Sequence, residues 1–329
     1  MVAYLFRRIW QGIIVLFGVS IVTFALPSWF SGSVARMVLG QKATPSAVAA
    51  FDHKYGYDQP ILVQYWHYMV NLFHGNFGIS MSREDFGASV ASQINEHIWR
   101  TLWLSLISLV LALIIAVPLG LYQAIKRNSK FDYSVTAAVF IIYSAPVFLL
   151  AIFLISIFSF WLHWLPPLVP ESALEANGVF GPLLYMFAHP TGVLLPIMVV
   201  TGGSIGYFSR YMRGSVLDTL VQDYIRTAKA KGASGRRLLF KHAFRNAIIP
   251  IVTILGLILP GLFGGALFIE TIFNYPGMGL LTVQATRVQD LPVIMAATLI
   301  IAVTTVIGNF LSDLGIAILD PRIRLTGKR

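Results

Sequence analysis

The densest run of reactive side chains lies at residues 223–250. It reads Asp223-Tyr-Ile-Arg-Thr-Ala-Lys-Ala-Lys-Gly232-Ala-Ser-Gly-Arg-Arg-Leu-Leu-Phe-Lys-His-Ala-Phe-Arg245-Asn-Ala-Ile-Ile-Pro250. Cations interleaved with small residues do no covalent chemistry. They suit docking onto a partner surface. Three other constellations invite a chemical reading. Gly202-Gly-Ser-Ile-Gly206 fits the G-x-S-x-G nucleophile elbow, which works only on a strand–turn–helix. Here it falls in a long apolar run, with His163 and His189 near one edge of the apolar region and His242 near the other, so catalysis by Ser204 is disfavoured. The seven histidines show no metal-ligand spacing, and the absence of cysteine excludes disulfides, thiolate metal sites and iron–sulfur clusters. No G-x-x-x-x-G-K-[ST] occurs, so the chain has no loop to cradle nucleotide phosphates. Asp313 lies in an apolar run. It is either a functional intramembrane acid or a residue that reaches the interface or pairs with a base.

The elements that must position these residues are set by composition. The chain has 329 residues, 57% hydrophobic and 12% charged. Mean hydropathy is +0.74. Soluble domains carry about 25% charge, so this is a polytopic membrane protein. The +10 net charge fits cations retained on one side of the bilayer rather than nucleic-acid binding. Six segments have the roughly 20 apolar residues a span needs. They are Ile9–Phe30, Trp99–Ile125, Tyr133–Trp161, Gly192–Tyr211, Ala247–Ile269 and Leu291–Phe310, the last extending towards Ile318. The first has basic residues before it but is too long for a signal peptide and reads as a retained span.

Orientation follows from the cations. Arg7 and Arg8, Lys126, Arg127 and Lys130, the nine between Arg210 and Arg245, and the four at the C-terminus fall on one side. Arg36, Lys42, Lys54, Arg83, Arg100 and Arg287 fall on the other. The richer side should be cytoplasmic, with both termini inside. Residues 1–30 then hold the N-terminus and first span, 31–98 form a small external cap, and 99–329 form a core with a cytoplasmic loop at 212–246. Pro118, Pro146, Pro196, Pro250 and Pro260 fall within spans. Proline frees carbonyls there, which suits either a translocation path or ordinary kinks. Gly202 and Gly206 make a small-xxx-small packing face.

Within the loop, Asp223 sits where a helix begins and Lys229 and Lys231 where it ends, matching the macrodipole. Gly232 stops it at C′. Ile225 and Ala228 share a face, and Thr227, Ala228, Ala230 and Ala233 are small enough for close approach. Residues 224–231 make a rod of about 12 Å. Ser234 is placed to cap the next helix, which runs through Arg236, Leu239 and Phe240. A loop that merely satisfies the positive-inside rule would need no such two-helix grammar pivoting on Gly232.

This stretch resembles the EAA loop of ABC-transporter permeases. The general pattern is poorly kept: aligned on Gly232, Arg226, Thr227 and Ala228 hold the Glu-Ala-Ala places, and His242 to Arg245 hold Ile-x-Leu-Pro. The dipeptide/oligopeptide-permease version, Tyr-Ile-Arg-Thr-Ala-x-Ala-Lys-Gly followed by His-Ala-x-Arg-Asn-Ala-x-Ile-Pro, is matched almost throughout from Tyr224 to Pro250. The resemblance covers the whole chain. It includes Tyr4-x-x-Arg7-Arg8, Gly18-Val-Ser20, Gly56-Tyr-Asp-Gln-Pro60, Val63-Gln-Tyr65 and Gly75-Asn-Phe-Gly-Ile-Ser80. Thr101-Leu102, Pro118-Leu-Gly120, Pro146, Glu270-Thr-Ile-Phe, Pro276-Gly-Met-Gly279, Asp290-Leu-Pro292 and Asp320-Pro-Arg-Ile-Arg324 follow. One departure is Phe30-Ser-Gly-Ser33, where relatives often carry Pro-Gly-Asp-Pro.

The resemblance implies an all-α polytopic fold of the type I ABC importer permease, in a prokaryotic cytoplasmic membrane. It implies a non-enzymatic transport subunit working with a second homologous permease, two cytoplasmic ATPase subunits that hold ATP and Mg, and an external substrate-binding protein, with peptides or a similar small solute as cargo. It assigns ATPase coupling to Asp223, Tyr224, Arg226, Thr227, Ala228, Lys231, Gly232, Ala233, Arg236 and Arg237. An ion-coupled secondary transporter would show inverted repeats and midplane acids, and neither is found. The orientation carries a test. Cysteines introduced at Lys54 and Arg236 of this cysteine-free chain should label from opposite faces of sealed cells, and labelling of both from outside contradicts it.

Overall fold

The computed structural model describes residues 2–30, 34–82, 85–258, 261–264 and 267–319. Pro260, Arg83, residues 31–33 of the departing turn and the 320–324 run lie outside the described residues, as does the side chain of Arg236. Among the described residues the regular elements are helical, apart from an antiparallel bridge between Ile79 and Ser89. Helix α1 (Val2–Phe30) is followed by α2 (Val34–Leu39), α3 (Pro45–Tyr55) and α4 (Ile61–Phe73). Then come α5 (Val90–Ile125), α6 (Lys130–Ser144), α7 (Val147–Ile155), α8 (Gly181–Ala188) and α9 (Pro190–Leu220). The chain continues with α10 (Asp223–Ala230), α11 (Gly235–Arg237), α12 (Phe244–Ala247) and α13 (Ile249–Ile258). It finishes with α14 (Gly261–Gly264), α15 (Leu267–Ile272), α16 (Met278–Val288) and α17 (Leu291–Leu319). Among the described residues, five helical stretches are long and apolar enough to cross a bilayer, and the bent pair Lys130–Ser144 and Val147–Trp161, taken as one span, makes a sixth.

The expected third span, Tyr133–Trp161, is two half-helices meeting at 102°. Pro146 is the cause. It has no N–H for the helix ladder, and its ring drives the preceding residue out of the α region. Ala145 is accordingly extended, at φ −72° and ψ 133°. Pro118 and Pro196 behave differently, since α5 and α9 continue through them. Pro250 follows a one-residue interruption at Ile248. The fifth crossing is displaced towards the N-terminus, at Leu238–Gly256 rather than Ala247–Ile269.

α5 and α9 each outrun an expected end by nine residues. α5 starts at Val90, not Trp99, because Val90 and Ile94 are buried against Met278, Leu281, Val293 and Ala297. α9 continues to Leu220, although the loop was expected from 212. Arg210 and Arg213 were counted with the cations of that loop, and both have partners within the helical bundle. Asp132 takes the Arg213 guanidinium in two parallel bonds of 2.8 and 2.7 Å, and Arg210 lies 5.3 Å from the Tyr143 ring centroid. At 1.5 Å per residue the 31 residues of α9 extend about 46 Å, longer than a hydrocarbon core of about 30 Å. The last turns of α9 form a stalk that carries α10 at its end.

The core is centred on the α5–α9 crossing. Leu109, Ala112, Ala116 and Leu121 of α5 meet Phe208, Met212 and Val216 of α9, with Ala247 and Ile251 closing one side. Gly120 makes the approach possible, since a Cβ there would lie 2.8 Å from the Met212 Cβ. Gly206 likewise lets α9 reach Tyr143, with a Cβ gap of only 3.0 Å. Ser204 donates its hydroxyl to the Val200 carbonyl one turn back at 3.0 Å, within continuous helix, so no nucleophile elbow exists. Asp313 pairs with Arg8 at 2.9 Å, joining α17 to α1.

At the end of the bundle remote from the stalk, Glu270 is fully buried. It accepts from Thr101 Oγ1 at 2.8 Å and from the backbone N–H groups of Gly279 and Leu280 at 2.6 and 3.2 Å. The carboxylate thus caps α16, where a helix dipole favours an anion. Gly277 must lack a side chain there, because a Cβ would strike Glu270 at 2.6 Å. Burial, then the Glu270 charge, raises the Tyr275 hydroxyl well above its ordinary pKa, and it donates to the Arg100 carbonyl at 2.8 Å. Asp290 accepts from the Ser80 hydroxyl and from Met81 N, the latter at 3.1 Å. The Gly75–Ser80 motif is thereby tied to the start of α17.

Candidate coupling site

α10 grows out of a two-residue turn after the stalk. Gln222 is extended at its N-cap, and Asp223 occupies the first turn. Ile225 is the one buried residue of the helix, 3% exposed. The helix packs on the neighbouring π-helical turn Leu238–Ala243. Asn246 Nδ2 donates to the Tyr224 hydroxyl at 2.8 Å. These contacts fix one side of α10 and leave the other open. Asp223, Arg226, Thr227, Lys229, Ala230 and Lys231 are exposed, and Ala228 is half-buried beside Ile225.

The helix stops as its sequence requires. Gly232 has φ +82°. Its N–H bonds the Lys229 carbonyl at 3.0 Å, and Ala233 N–H bonds the Ala228 carbonyl at 3.1 Å. Those two bonds constitute a Schellman stop, with glycine at the left-handed position. Ser234 then lies extended at the next N-cap position, but its hydroxyl makes no capping bond. The backbone geometry expected of it is present and the side-chain bond is absent.

The remaining site residues have distinct surroundings. Asp223 and Arg226 approach at 3.7 Å, but with side chains 99% and 75% exposed the pair contributes little to stability. Thr227 returns its hydroxyl to the Asp223 carbonyl at 3.0 Å. Lys231 is the C-cap. Arg237 borders a shallow, open depression of about 490 Å³ with Ser234, Phe240 and Lys241. Arg226, Lys229, Lys231, Arg237, Lys241 and Arg245 are all exposed, which makes this end of the molecule a cationic surface. Its geometry suits a rigid-body contact. A short helix is held at its base and presents small residues between cations.

Two contributors are not evident from the motif itself. Asn246 belongs to the Arg-Asn-Ala run, but only the fold brings it to Tyr224. Asp132 is the lone acid after a basic turn, with Ser129 Oγ accepting from its N–H at 3.2 Å. That local Ser-x-x-Asp cap is a signal in the sequence, whereas its partner Arg213 stands 81 residues away. The pair fixes the bent third span to the stalk that carries α10.

Comparison with known proteins agrees with this architecture. The family described as "Binding-protein-dependent transport system inner membrane component" matches residues 116–325. Its N-terminal counterpart, "Binding-prot-dependent transport system membrane comp, N-term", matches residues 1–113. The chain belongs to this family. It is therefore a multi-pass inner-membrane transport subunit rather than an enzyme. The chain is 38% identical over 323 residues to the oligopeptide transport system permease protein AppB of Bacillus subtilis, covering 98% of this chain and 99% of the relative. It is 35% identical over 326 residues to the glutathione transport system permease protein GsiC of Escherichia coli K12, with 98% and 99% coverage. GsiC of Shigella flexneri serotype 5b is 36% identical over the same length, with the same coverage.

The Gly232 stop generates a prediction. A Cβ at Gly232 would meet nothing within 4 Å, so its constraint is the positive φ alone. An L-residue there costs about 1–2 kcal/mol, and a β-branched one more. Gly232→Val should therefore unwind the end of α10 and abolish transport while membrane insertion persists. Gly232→Asn, which tolerates the left-handed region, should retain most uptake. Arg237→Ala should also be mild, since it removes an exposed charge without bending the backbone. Uptake and ATPase co-purification at matched membrane levels compare them, and normal transport by Gly232→Val contradicts the assignment.

Proposed function

We propose that this chain is one of two permease subunits of an ATP-driven importer for peptides or similar small solutes, and that α10 is its coupling helix. The observation that carries the reading is a short cationic helix at the tip of the α9 stalk, fixed on one face and open on the other. Asp223, Tyr224, Arg226, Thr227, Ala228, Lys231, Gly232, Ala233, Arg236 and Arg237 form or support the docking surface. The peptide class follows the relatives named for oligopeptide and glutathione transport.

In this reading α10 sits in a groove on one of two cytoplasmic ATPase subunits, which bind ATP and Mg. Closure of the ATPases carries α10 with it as a rigid body. The movement passes along α9, crosses to α6 through the Asp132–Arg213 pair and reaches the bend at Pro146. The α5–α9 crossing is too closely packed to absorb the displacement, because interiors at this density transmit strain. A sister permease supplies the other wall of the path, and an external binding protein delivers cargo on the side opposite α10. Both termini and the stalk tip face the cytoplasm.

Reconstitution of the complex, co-expressed with its sister permease, ATPases and binding protein, tests the reading. Peptide uptake into proteoliposomes should require ATP and the binding protein, and peptide-loaded binding protein should stimulate ATP turnover. Uptake driven by an ion gradient without ATP, or ATP turnover by this chain purified alone, refutes it.

A further inference from the structure

Helix α4 lies in the segment expected to form an external cap, yet ten of its 13 residues divide among three faces, with the exposed Ile61, Val63 and Val70 beside them. Tyr65, Tyr68 and Leu72 share the first, at i, i+3 and i+7. That face packs on the first span. The Tyr65 ring centroid lies 6.4 Å from Phe17 and 5.3 Å from Phe24, Tyr68 lies 5.5 Å from Phe24, and the Tyr65 and Ser20 hydroxyls are 2.8 Å apart. Gln64, His67 and Asn71 make a narrow polar stripe. Gln64 donates to the Tyr57 and Gln59 carbonyls, holding the start of the helix. Leu62, Trp66, Met69 and Phe73 make the third face, spaced i, i+4, i+7 and i+11. Leu62 is 79% exposed, Trp66 67% and Phe73 83%.

The depth of the contact decides what covers this third face. The first crossing runs Phe6–Ala25. Phe17 lies about 12 Å before its end and Phe24 about 1.5 Å before it at 1.5 Å per residue, so Tyr65 and Tyr68 meet α1 along the outer turns of the crossing. The surface of α1 around them is itself apolar and open. Phe17, Ile21 and Val22 are 53%, 45% and 54% exposed. The Leu62–Phe73 face continues that open apolar surface. It also places a tryptophan, the residue enriched where hydrocarbon meets headgroups.

We propose that α4 is a membrane-interfacial helix: its Leu62, Trp66 and Phe73 face is embedded in the lipid beside the first span, and its Gln64, His67 and Asn71 stripe faces headgroups and water. Its 13 residues extend about 20 Å, too short to cross a hydrocarbon core of about 30 Å. The bilayer then anchors the segment between the first two spans along its length. It is not a freestanding cap in solvent.

The absence of cysteine allows a direct test. Single variants Leu62→Cys, Trp66→Cys, Phe73→Cys, His67→Cys and Asn71→Cys would each carry a bimane label. The full complex would be reconstituted in phosphatidylethanolamine/phosphatidylglycerol vesicles. Nitroxide on lipid acyl chains should quench labels at 62, 66 and 73 at least five-fold more than labels at 67 and 71, and aqueous iodide should show the reverse order. Two positions besides Trp66 keep the test decisive if that variant assembles poorly. Iodide quenching of 62, 66 and 73 would make the face solvent-exposed and overturn the proposal. Shielding of these labels from both quenchers, with cross-linking to the sister permease, would make it a protein interface and overturn it equally.

Discussion

A charge taken out of water is tolerated only where it is paired or hydrogen-bonded, and this constraint organises the fold. The chain meets it by pairing. Asp132 takes both arms of Arg213, Arg8 meets Asp313, and Glu270 is enclosed by a hydroxyl and two backbone N–H groups. Each solution joins elements distant in sequence, so neutralising a charge also fixes a tertiary contact. The Asp132–Arg213 pair is the most consequential. It ties the last turns of α9 to the start of the third span.

A lever needs stiffness along its length and a defined contact at its tip. α9 supplies the first as continuous helix through Pro196, packed closely on α5 at Gly120. The turn at Val221 and Gln222 and the Schellman stop at Gly232 supply the second, leaving α10 eight residues long with both ends defined. The base of α10 rests on a π-helical turn. Such turns are frequent at functional sites because their extra residue re-aims side chains.

Local chemistry made part of this legible before the fold was known. The Gly232 stop rests on one residue and two nearby carbonyls, so periodicity and residue type reveal it. The family resemblance, the helical class and the approximate crossings were likewise readable from the amino acids. What was hidden depended on remote partners. Arg210 and Arg213 were counted with the loop cations because Tyr143 and Asp132 lie on another element. The start of α5 was obscured because Val90 and Ile94 are buried by α16 and α17. Pro146 looked like four other prolines, yet it alone sits where the third span turns by 102°. Ser234 shows the converse, a local signal whose backbone half is realised and whose hydroxyl bond is not.

The central claim is that the open face of α10 meets an ATPase and its Ile225 face does not. Photo-cross-linking from single benzoylphenylalanine substitutions in the assembled complex tests this most directly. Probes at Arg226, Thr227 and Ala230 should capture the ATPase subunit in high yield. A probe at Ile225 should capture only this chain. Failure of all three exposed positions to reach the ATPase, in a complex that transports, would contradict the account.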